Sequence, residues 1–274
     1  RLHFGKRFTY QHNDVDSFVK NIERAKKVAE TTGGGILVIT EGVFGMRGQQ
    51  GKLKEILSYK EKYGFRILVD DAHGFGTLGK TGAGTGEEQG IQDKIDVYFS
   101  TFAKSMAGIG AFVAGDKEII EYLKYNLRSQ MFAKSLPMIF VKGALKRLEM
   151  LQTMPELKQK LWDNVNALQN GLKARGFNIG DTNTCVTPVF LQGSIPEAMA
   201  MVNDLRENYR IFLSIVVYPV IPKGMILLRM IPTASHTMQD IEETLEAFSA
   251  IRSKLEGGIY RQQNAQLEAE MEGK

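Results

Sequence analysis

Short apolar runs alternate with amphipathic segments through the first half of the chain. The runs GILVITEG (35–42), RILVDD (66–71), DVYFSTF (96–102) and GAFVAG (110–115) are too short for helices. Two segments predict helices. VDSFVKNIERAKKVA, which Asn13 or Asp14 would cap, precedes the first run, and KLKEILSYKEKYG, which Gly64 would end, lies between the first two runs. Strands that are apolar along their whole length and separated by helices indicate an α/β fold with a mainly parallel sheet, covered on both faces.

The second half predicts a smaller α/β domain. Residues 136–176 have the pattern of two long helices that divide near Pro155, and PVFLQG, FLSIVVYP and MILLRMIP are candidate strands. A capping box, Ser194-x-x-Glu197, opens a further helix. We therefore predict one domain at residues 1–150 and a second at 151–274. The polar tail after Glu256 is expected to fray.

Composition limits the classes of function. The net charge of +4 arises from 35 basic and 31 acidic residues that are mostly interspersed, which does not favour nucleic-acid binding. No apolar run approaches the length of a membrane span, so no transmembrane segment is predicted. The single cysteine, Cys185, indicates a buried structural role and a cytoplasmic protein. Because the chain opens on Arg1, we expect an N-terminal portion to be missing.

Residues 74–81, GFGTLGKT, match the phosphate-loop pattern G-x-x-x-x-G-K-[ST]. A phosphate loop must lead into a helix whose N–H groups face the phosphates, and here the next residues are TGAGTG. The acidic residues also precede the loop, whereas a magnesium-binding aspartate should follow on a later strand. The match therefore predicts no nucleotide site, and Lys80 has no assigned role.

Polar residues follow two successive predicted strands. Asp70 ends RILVD and His73 lies in the next turn, while Thr101 and Lys104 end the following strand. In an open α/β sheet, ligands bind at the carboxyl ends of strands. A lysine that can form a Schiff base and a carboxylate that keeps a pyridine nitrogen protonated are what pyridoxal phosphate needs. His73 could then bond a ring substituent and Thr101 the phosphate.

Each of these residues also has a structural alternative. Asp70 or Asp71 could cap a turn, His73 could be a loop histidine with its hydrogen bonds satisfied, and Lys104 could be exposed. An Asp-Asp-x-His turn could suggest a metal site, but no second ligand cluster accompanies it, so no metal is predicted.

Five segments resemble, in order, the α-oxoamine synthases. They are ITEGVFGMRGQQGKLKEI, ILVDDAHGFGTLGKTGAG, STFAKSMAGIGAFVAG, RSQMFAKSLPM and LLRMIPTASHT. These are fold-type I pyridoxal-phosphate enzymes that condense an amino acid with an acyl-CoA thioester. The resemblance implies a fold-type I large domain, here lacking its N-terminal part, and a smaller C-terminal domain.

The resemblance also implies a role for each candidate residue. Lys104 would be the Schiff-base lysine, Asp70 would pair with the pyridinium nitrogen, and His73 would bond the phenolic oxygen. Thr101 would contact the cofactor phosphate. Arg229, in LLRMIPTASHT, would bind the substrate carboxylate.

The chain departs from the family pattern in two ways. Gly45 stands where the family usually has serine, so one polar contact to the cofactor is lost or supplied otherwise. The upstream phosphate-binding loop and the histidine that stacks on the pyridine ring are absent, since His3 and His12 match positions after that histidine. The family also implies a homodimer, with RSQMFAKSLPM reaching the neighbouring cofactor.

Within the family, VVYPVIPKGMILLR and FAKSLPM look most like the bacterial serine palmitoyltransferases. The predicted reaction joins L-serine to a long-chain acyl-CoA such as palmitoyl-CoA, giving 3-ketodihydrosphingosine. The alternatives are 8-amino-7-oxononanoate synthase, which uses alanine and a pimeloyl thioester, and glycine C-acyltransferases. A catalytically inactive scaffold subunit and a nucleotide hydrolase are two further hypotheses, and the presence of Lys104 argues against the scaffold.

Overall fold

The computed structural model describes residues 4–263. Its strands are β1 (Ile36–Glu41), β2 (Val43–Phe44), β3 (Gln49–Gln50), β4 (Phe65–Asp70), β5 (Val97–Thr101), β6 (Ala111–Gly115), β7 (Thr187–Gln192), β8 (Ser214–Val216) and β9 (Met225–Met230). Its helices are α1 (Val15–Thr32), α2 (Leu53–Leu57), α3 (Lys60–Tyr63), α4 (Thr85–Glu88), α5 (Lys117–Asn126), α6 (Arg128–Phe132), α7 (Met138–Thr153), α8 (Pro155–Ala174), α9 (Ile195–Tyr209) and α10 (Met238–Glu256).

The described residues form two compact units. Unit 1 comprises residues 4–44 and 50–155, and unit 2 comprises residues 45–49 and 156–263. The sequence-based division falls after residue 150 and places residues 45–49 in the first domain. That division into independent domains stays a prediction.

The sheet of unit 1 has the strand order β1-β4-β5-β6. β1, β4 and β5 are parallel, with Glu41 beside Asp70 and Asp70 beside Phe99, whereas β6 runs antiparallel to β5. The connection 102–110 is too short for a parallel crossover, which needs a dozen or more residues. The sheet is therefore mainly parallel, as predicted, with an antiparallel edge strand.

The helices of unit 1 begin and end close to the predicted signals. Asp14 caps α1, because its Oδ1 accepts the Ser17 N–H at 2.8 Å, and Gly64 ends α3 in a left-handed conformation. The predicted single helix over 52–64 is instead two short helices, α2 and α3. The break lies at Ser58, whose hydroxyl donates to the Glu55 carbonyl at 2.6 Å and competes with the helical pattern.

The prediction that both faces of the sheet are covered does not hold for β1 within residues 4–263. One face of β1 packs in a core with Phe18 of α1 and Leu53 of α2. On the other face, Leu37 and Ile39 are 54% and 63% exposed. The described helices of unit 1 that join this core all lie on the first face, so these two apolar side chains face outward.

Unit 2 contains an antiparallel sheet of order β7-β9-β8. Alternate residues of β9, namely Ile226, Leu228 and Met230, join a core with side chains of α8, α9 and α10. The predicted capping box is confirmed, because Ser194 and Glu197 exchange hydrogen bonds at the start of α9. Because β9 alternates, Leu227 and Arg229 point to the opposite face of the sheet.

The tail after Glu256 does not fray over residues 257–263, contrary to the prediction. Tyr260 is 1% exposed, and its hydroxyl donates to Asp204 of α9 at 2.6 Å, where Lys254 also pairs at 2.7 Å. Burial acts to raise the pKa of Asp204, but the hydrogen bonds from Lys254, Tyr260 and Asn208 together lower it. The rest of the predicted tail lies outside the described residues, as does His3.

Candidate active site

Asp70 is the last residue of β4, at the carboxyl end of the central strand. Its register partners are Glu41 on β1 and Phe99 on β5. The side chain is half-buried, and its Oδ1 accepts the Ala72 N–H at 3.1 Å. A carboxylate at this edge of a parallel sheet lies where α/β folds bind ligands.

His73 lies in a tight turn that follows Asp70. The Asp71 carbonyl accepts the N–H groups of Gly74 and Phe75 at 3.1 and 3.0 Å, which closes the turn around His73. The His73 carbonyl accepts the Thr77 hydroxyl at 3.0 Å. The structure thus brings His73 and Asp70 into one turn at the strand end, as the sequence predicted.

Thr101 and Lys104 lie at the same edge, one strand along. Phe99 pairs with Asp70, so Thr101 is two residues further along β5. The Thr101 hydroxyl donates to the Gly110 carbonyl at 3.1 Å and accepts the Ala103 N–H at 3.1 Å. Its proton is therefore directed at the protein backbone, and its contact to a phosphate stays a prediction. Lys104 is exposed, in the turn after β5.

Asp71 is the neighbour of Asp70, and the sequence did not decide which of the two aspartates has a structural role in the turn. It is completely buried, and its carboxylate accepts the Thr85 N–H and hydroxyl at 2.7 Å each and the Tyr98 hydroxyl at 2.8 Å. Burial raises the pKa of Asp71, and the hydrogen bonds from Thr85 and Tyr98 act in the opposite direction. The two aspartates thus divide: Asp71 anchors the turn, while Asp70 keeps a partly accessible carboxylate. The alternation of side chains along a strand could have indicated this burial, because Asp71 lies two and four residues after Val69 and Ile67, which are also buried.

In the segment that matches the phosphate-loop pattern, and just after it, backbone N–H groups donate to carboxylates of the protein itself. Glu87 accepts the N–H groups of Thr81 and Ala83, and Glu88 accepts that of Gly79 at 2.9 Å. The following helix, α4, has only 4 residues. The backbone donors that would hold a phosphate are therefore already paired, which agrees with the rejection of a nucleotide site.

Arg229 lies in unit 2, on β9. One Nη1 hydrogen bond reaches the Gly45 carbonyl at 2.9 Å, and the buried Nε–H has no hydrogen-bond partner within the described part of the chain. Arg229 also lines a cavity of about 260 Å³ together with Ser214, its neighbour across the sheet. Gly45 thus contacts the arginine through its backbone carbonyl, and the effect of glycine at this position on cofactor binding stays a prediction.

The single cysteine lies in unit 2 and is not among the strand-end residues of unit 1. Cys185 is 4% exposed and packs with Val165 and Val186, in agreement with a structural role. Over residues 4–263, no group of three or more His, Cys, Asp or Glu side chains could hold a metal ion. In the same range, no helix combines the length and apolar character needed to cross a bilayer. Cytoplasmic location stays a prediction.

The chain thus has an α/β fold with polar side chains at the carboxyl edge of a mainly parallel sheet. The family model "Aminotransferase class I and II" matches residues 1–248, and the chain belongs to that family. This match covers the described part of unit 1 and most of that of unit 2.

Three relatives refine the comparison. The chain is 81% identical over 271 residues to a cysteate-C-fatty acyltransferase of Capnocytophaga ochracea, covering 99% of this chain and 64% of the relative. It is 36% identical over 246 residues to a serine palmitoyltransferase of Sphingobacterium spiritivorum, covering 90% and 60%. A solved serine palmitoyltransferase with pyridoxal phosphate has a TM-score of 0.81 at 33% identity, covering 88% and 60%.

These similarities confirm two predictions. Serine palmitoyltransferases are α-oxoamine synthases, so the resemblance to that group is confirmed, and so is the fold-type I architecture. The chain spans less than two thirds of the length of each of these relatives.

Proposed function

We propose that this chain is part of a pyridoxal-phosphate-dependent C-acyltransferase that joins a fatty acyl group to the α-carbon of an amino acid. The observation that carries the proposal is the group Asp70, His73 and Lys104 at the carboxyl ends of β4 and β5. The 81% identical relative, named a fatty acyltransferase, supports the acyl chemistry.

The donor set of unit 1 fits the cofactor. Asp70 offers a carboxylate for the pyridinium nitrogen, His73 a ring nitrogen for the phenolic oxygen, and Lys104 an exposed primary amine for the aldehyde. Thr101 would hold the phosphate after its hydroxyl turns away from Gly110. When bound, the cofactor stabilises negative charge on the substrate α-carbon.

The residues of this chain then have separate tasks. Lys104 would act as the general base that takes the proton from the substrate α-carbon. Asp70 would keep the ring nitrogen of the cofactor protonated. Arg229 would bind the substrate carboxylate, and its Nε–H, which has no hydrogen-bond partner among the described residues, is a donor that such an anion would satisfy. A bond would form between the α-carbon and the acyl carbonyl carbon as the carbon–sulfur bond of the thioester breaks and the thiolate leaves, taking a proton from solvent. The carboxylate would then depart as CO₂, and the proton held by Lys104 would return to the α-carbon.

We propose cysteate as the amino acid, on the strength of the 81% identical relative. Cysteate carries a sulfonate where serine carries a hydroxyl, so it offers two anionic groups at neutral pH. Serine with palmitoyl-CoA is the second candidate, supported by the 36% identical serine palmitoyltransferase and by the segment VVYPVIPKGMILLR. If the protein instead preferred alanine with pimeloyl-CoA, both the cysteate and the serine proposals would be overturned.

The assay is thioester cleavage by the full-length protein. Cysteate, serine, alanine and glycine are each combined with palmitoyl-CoA and pimeloyl-CoA, and free thiol is measured. We expect the highest kcat/KM for cysteate with palmitoyl-CoA. A preference for serine would favour the second candidate, and a preference for alanine with pimeloyl-CoA would refute fatty acyl transfer.

A second test concerns the cofactor itself. We expect pyridoxal phosphate to give a visible absorption band that depends on Lys104. A scaffold subunit or a nucleotide hydrolase would give no such band. ATP-dependent stabilisation without the band would support the hydrolase and refute the acyltransferase.

We also propose a homodimer, supported by an apolar surface on unit 1. The segment RSQMFAKSLPM (128–138) exposes Met131, Phe132 and Met138 by 53%, 70% and 66%. Apolar side chains exposed this far and this close together are typical of interaction sites. Phe132→Asp should shift the protein toward monomer in sedimentation velocity at fixed concentration. An unchanged sedimentation coefficient would contradict a dimer through this segment.

A further inference from the structure

The buried carboxylate of Asp71 connects the structural elements around the candidate cofactor site. Its Oδ2 accepts the Thr85 N–H and the Tyr98 hydroxyl, and its Oδ1 accepts the Thr85 hydroxyl, all within 2.8 Å. Three donors for one carboxylate satisfy most of its hydrogen-bonding capacity. A buried carboxylate held in this way fixes the elements that carry the donors.

Three glycines allow the backbone to approach this carboxylate. A Cβ at Gly42, Gly74 or Gly84 would overlap the Asp71 carboxylate oxygens. Gly42 follows β1, Gly74 follows His73, and Gly84 precedes α4. The carboxylate therefore lies under three separate loops at one edge of the sheet.

The backbone of Asp71 is equally constrained. Its N–H donates to the Phe99 carbonyl at 2.8 Å, and its carbonyl accepts the Gly74 and Phe75 N–H groups. The Ser100 hydroxyl also donates to the Asp71 carbonyl, at 3.3 Å. Asp71 thus ties the end of β4 to β5 and closes the turn that contains His73.

We propose that Asp71, together with Tyr98 and Thr85, is a positioning group for Asp70 and His73. Because Asp70 and Asp71 are adjacent in the chain, the buried anchor determines where the Asp70 carboxylate stands at the strand end. Asp71 touches neither cofactor nor substrate in this role. The inference deepens the proposed function and rests on it.

The test compares two tyrosines. Tyr98→Phe removes the hydroxyl that donates to Asp71, and Tyr63→Phe removes a hydroxyl that donates to Glu23 at 2.9 Å elsewhere in unit 1. Tyr98 and Tyr63 are 6% and 5% exposed, so the two variants are matched in burial. Each is made in the full-length protein.

We expect Tyr98→Phe to raise the Kd for pyridoxal phosphate about tenfold, as the loss of a hydrogen bond to a charged group predicts. It should also shift the pH at which the lysine-dependent visible band changes, since Asp70 would hold the ring nitrogen less well. Tyr63→Phe should leave both unchanged at a similar thermal midpoint. Equal Kd values and band titrations for the two variants would overturn the inference.

A third measurement uses the protein without cofactor. Amide hydrogen exchange at Gly74 and Phe75 should speed up in Tyr98→Phe and not in Tyr63→Phe, and an unchanged rate would also overturn the inference. Failure of the proposed function looks different: the unsubstituted protein would show no lysine-dependent band, while the exchange difference would remain. Asp71→Asn, if it folds, should show the same three effects.

Discussion

Replacing Arg229 with methionine should separate stability from substrate binding. Methionine keeps much of the apolar stem but removes the guanidinium. Among residues 4–263 the Arg229 Nε–H is buried and finds no hydrogen-bond partner, which costs about 1–3 kcal/mol. The hydrogen bond from Nη1 to the Gly45 carbonyl at 2.9 Å contributes about 1.5–3 kcal/mol in the opposite direction.

These two contributions nearly cancel, so the free energy of unfolding of Arg229→Met should stay within about 1 kcal/mol of the original. For substrate binding, no gain offsets the loss of the guanidinium. Losing a charge-assisted hydrogen bond to the amino-acid carboxylate should raise the KM for the amino acid roughly 10- to 150-fold. The KM for acyl-CoA should change little.

The assays are urea denaturation of the unliganded protein and steady-state kinetics with the amino acid varied. Arg252→Met is the matched control, because Arg252 also lies in unit 2, donates to the Arg175 carbonyl at 2.8 Å and lies over the Phe177 ring. The control should lose about 1–2 kcal/mol of stability with no change in KM. The reasoning is refuted if Arg229→Met leaves the amino-acid KM unchanged, or if it costs more than about 3 kcal/mol of stability.

Three further predictions follow from single residues. Lys104→Ala should abolish the visible cofactor band without loss of thermal stability, because the side chain is exposed, while Lys80→Ala should leave the band intact; a band that survives in Lys104→Ala would contradict the assignment. Gly84→Ala should cost about 3 kcal/mol or more, since φ is +103° and a Cβ would overlap a buried carboxylate, whereas Gly35→Ala has open space and should change stability by less than about 0.5 kcal/mol; equal denaturation midpoints would refute this. The lowered pKa of Asp204 contributes stability that is present above the ordinary aspartate pKa of about 3.9 and is lost as pH falls through the folded-state value, so Asp204→Asn should flatten the acid limb of the stability curve, and an unchanged slope would count against it.

The sequence predicted those parts of the candidate site that depend on patterns over a few neighbouring residues. Apolar runs identified the strands, and the residues that follow each strand had to share one edge of the sheet, so Asp70, His73, Thr101 and Lys104 could be grouped without a structure. The ordered segments of the family then gave each of them a predicted role. These roles stay predictions.

Other parts of the fold were not predictable because they depend on distant contacts. The direction of β6 followed from a short connection and its pairing with β5 rather than from its own sequence. The outward apolar face of β1 depends on which helices pack against it. Tyr260 docks on Asp204 over a separation of 56 residues, which no local pattern indicates.

The sequence by itself determined the α/β class, the helix caps at Asp14 and Ser194, and the lysine and carboxylate at successive strand ends, since periodicity and capping act over a few residues. Strand alternation places Asp71 on the side of Ile67 and Val69, but only the tertiary structure supplies the donors that make it an anchor. Asp71 is buried because Tyr98, 27 residues away, and Thr85, 14 residues away, converge on it, and Asp70 is left accessible as a consequence. Burial and long-range hydrogen bonds are properties of the packed molecule, so they distinguish two identical side chains that the sequence presents side by side.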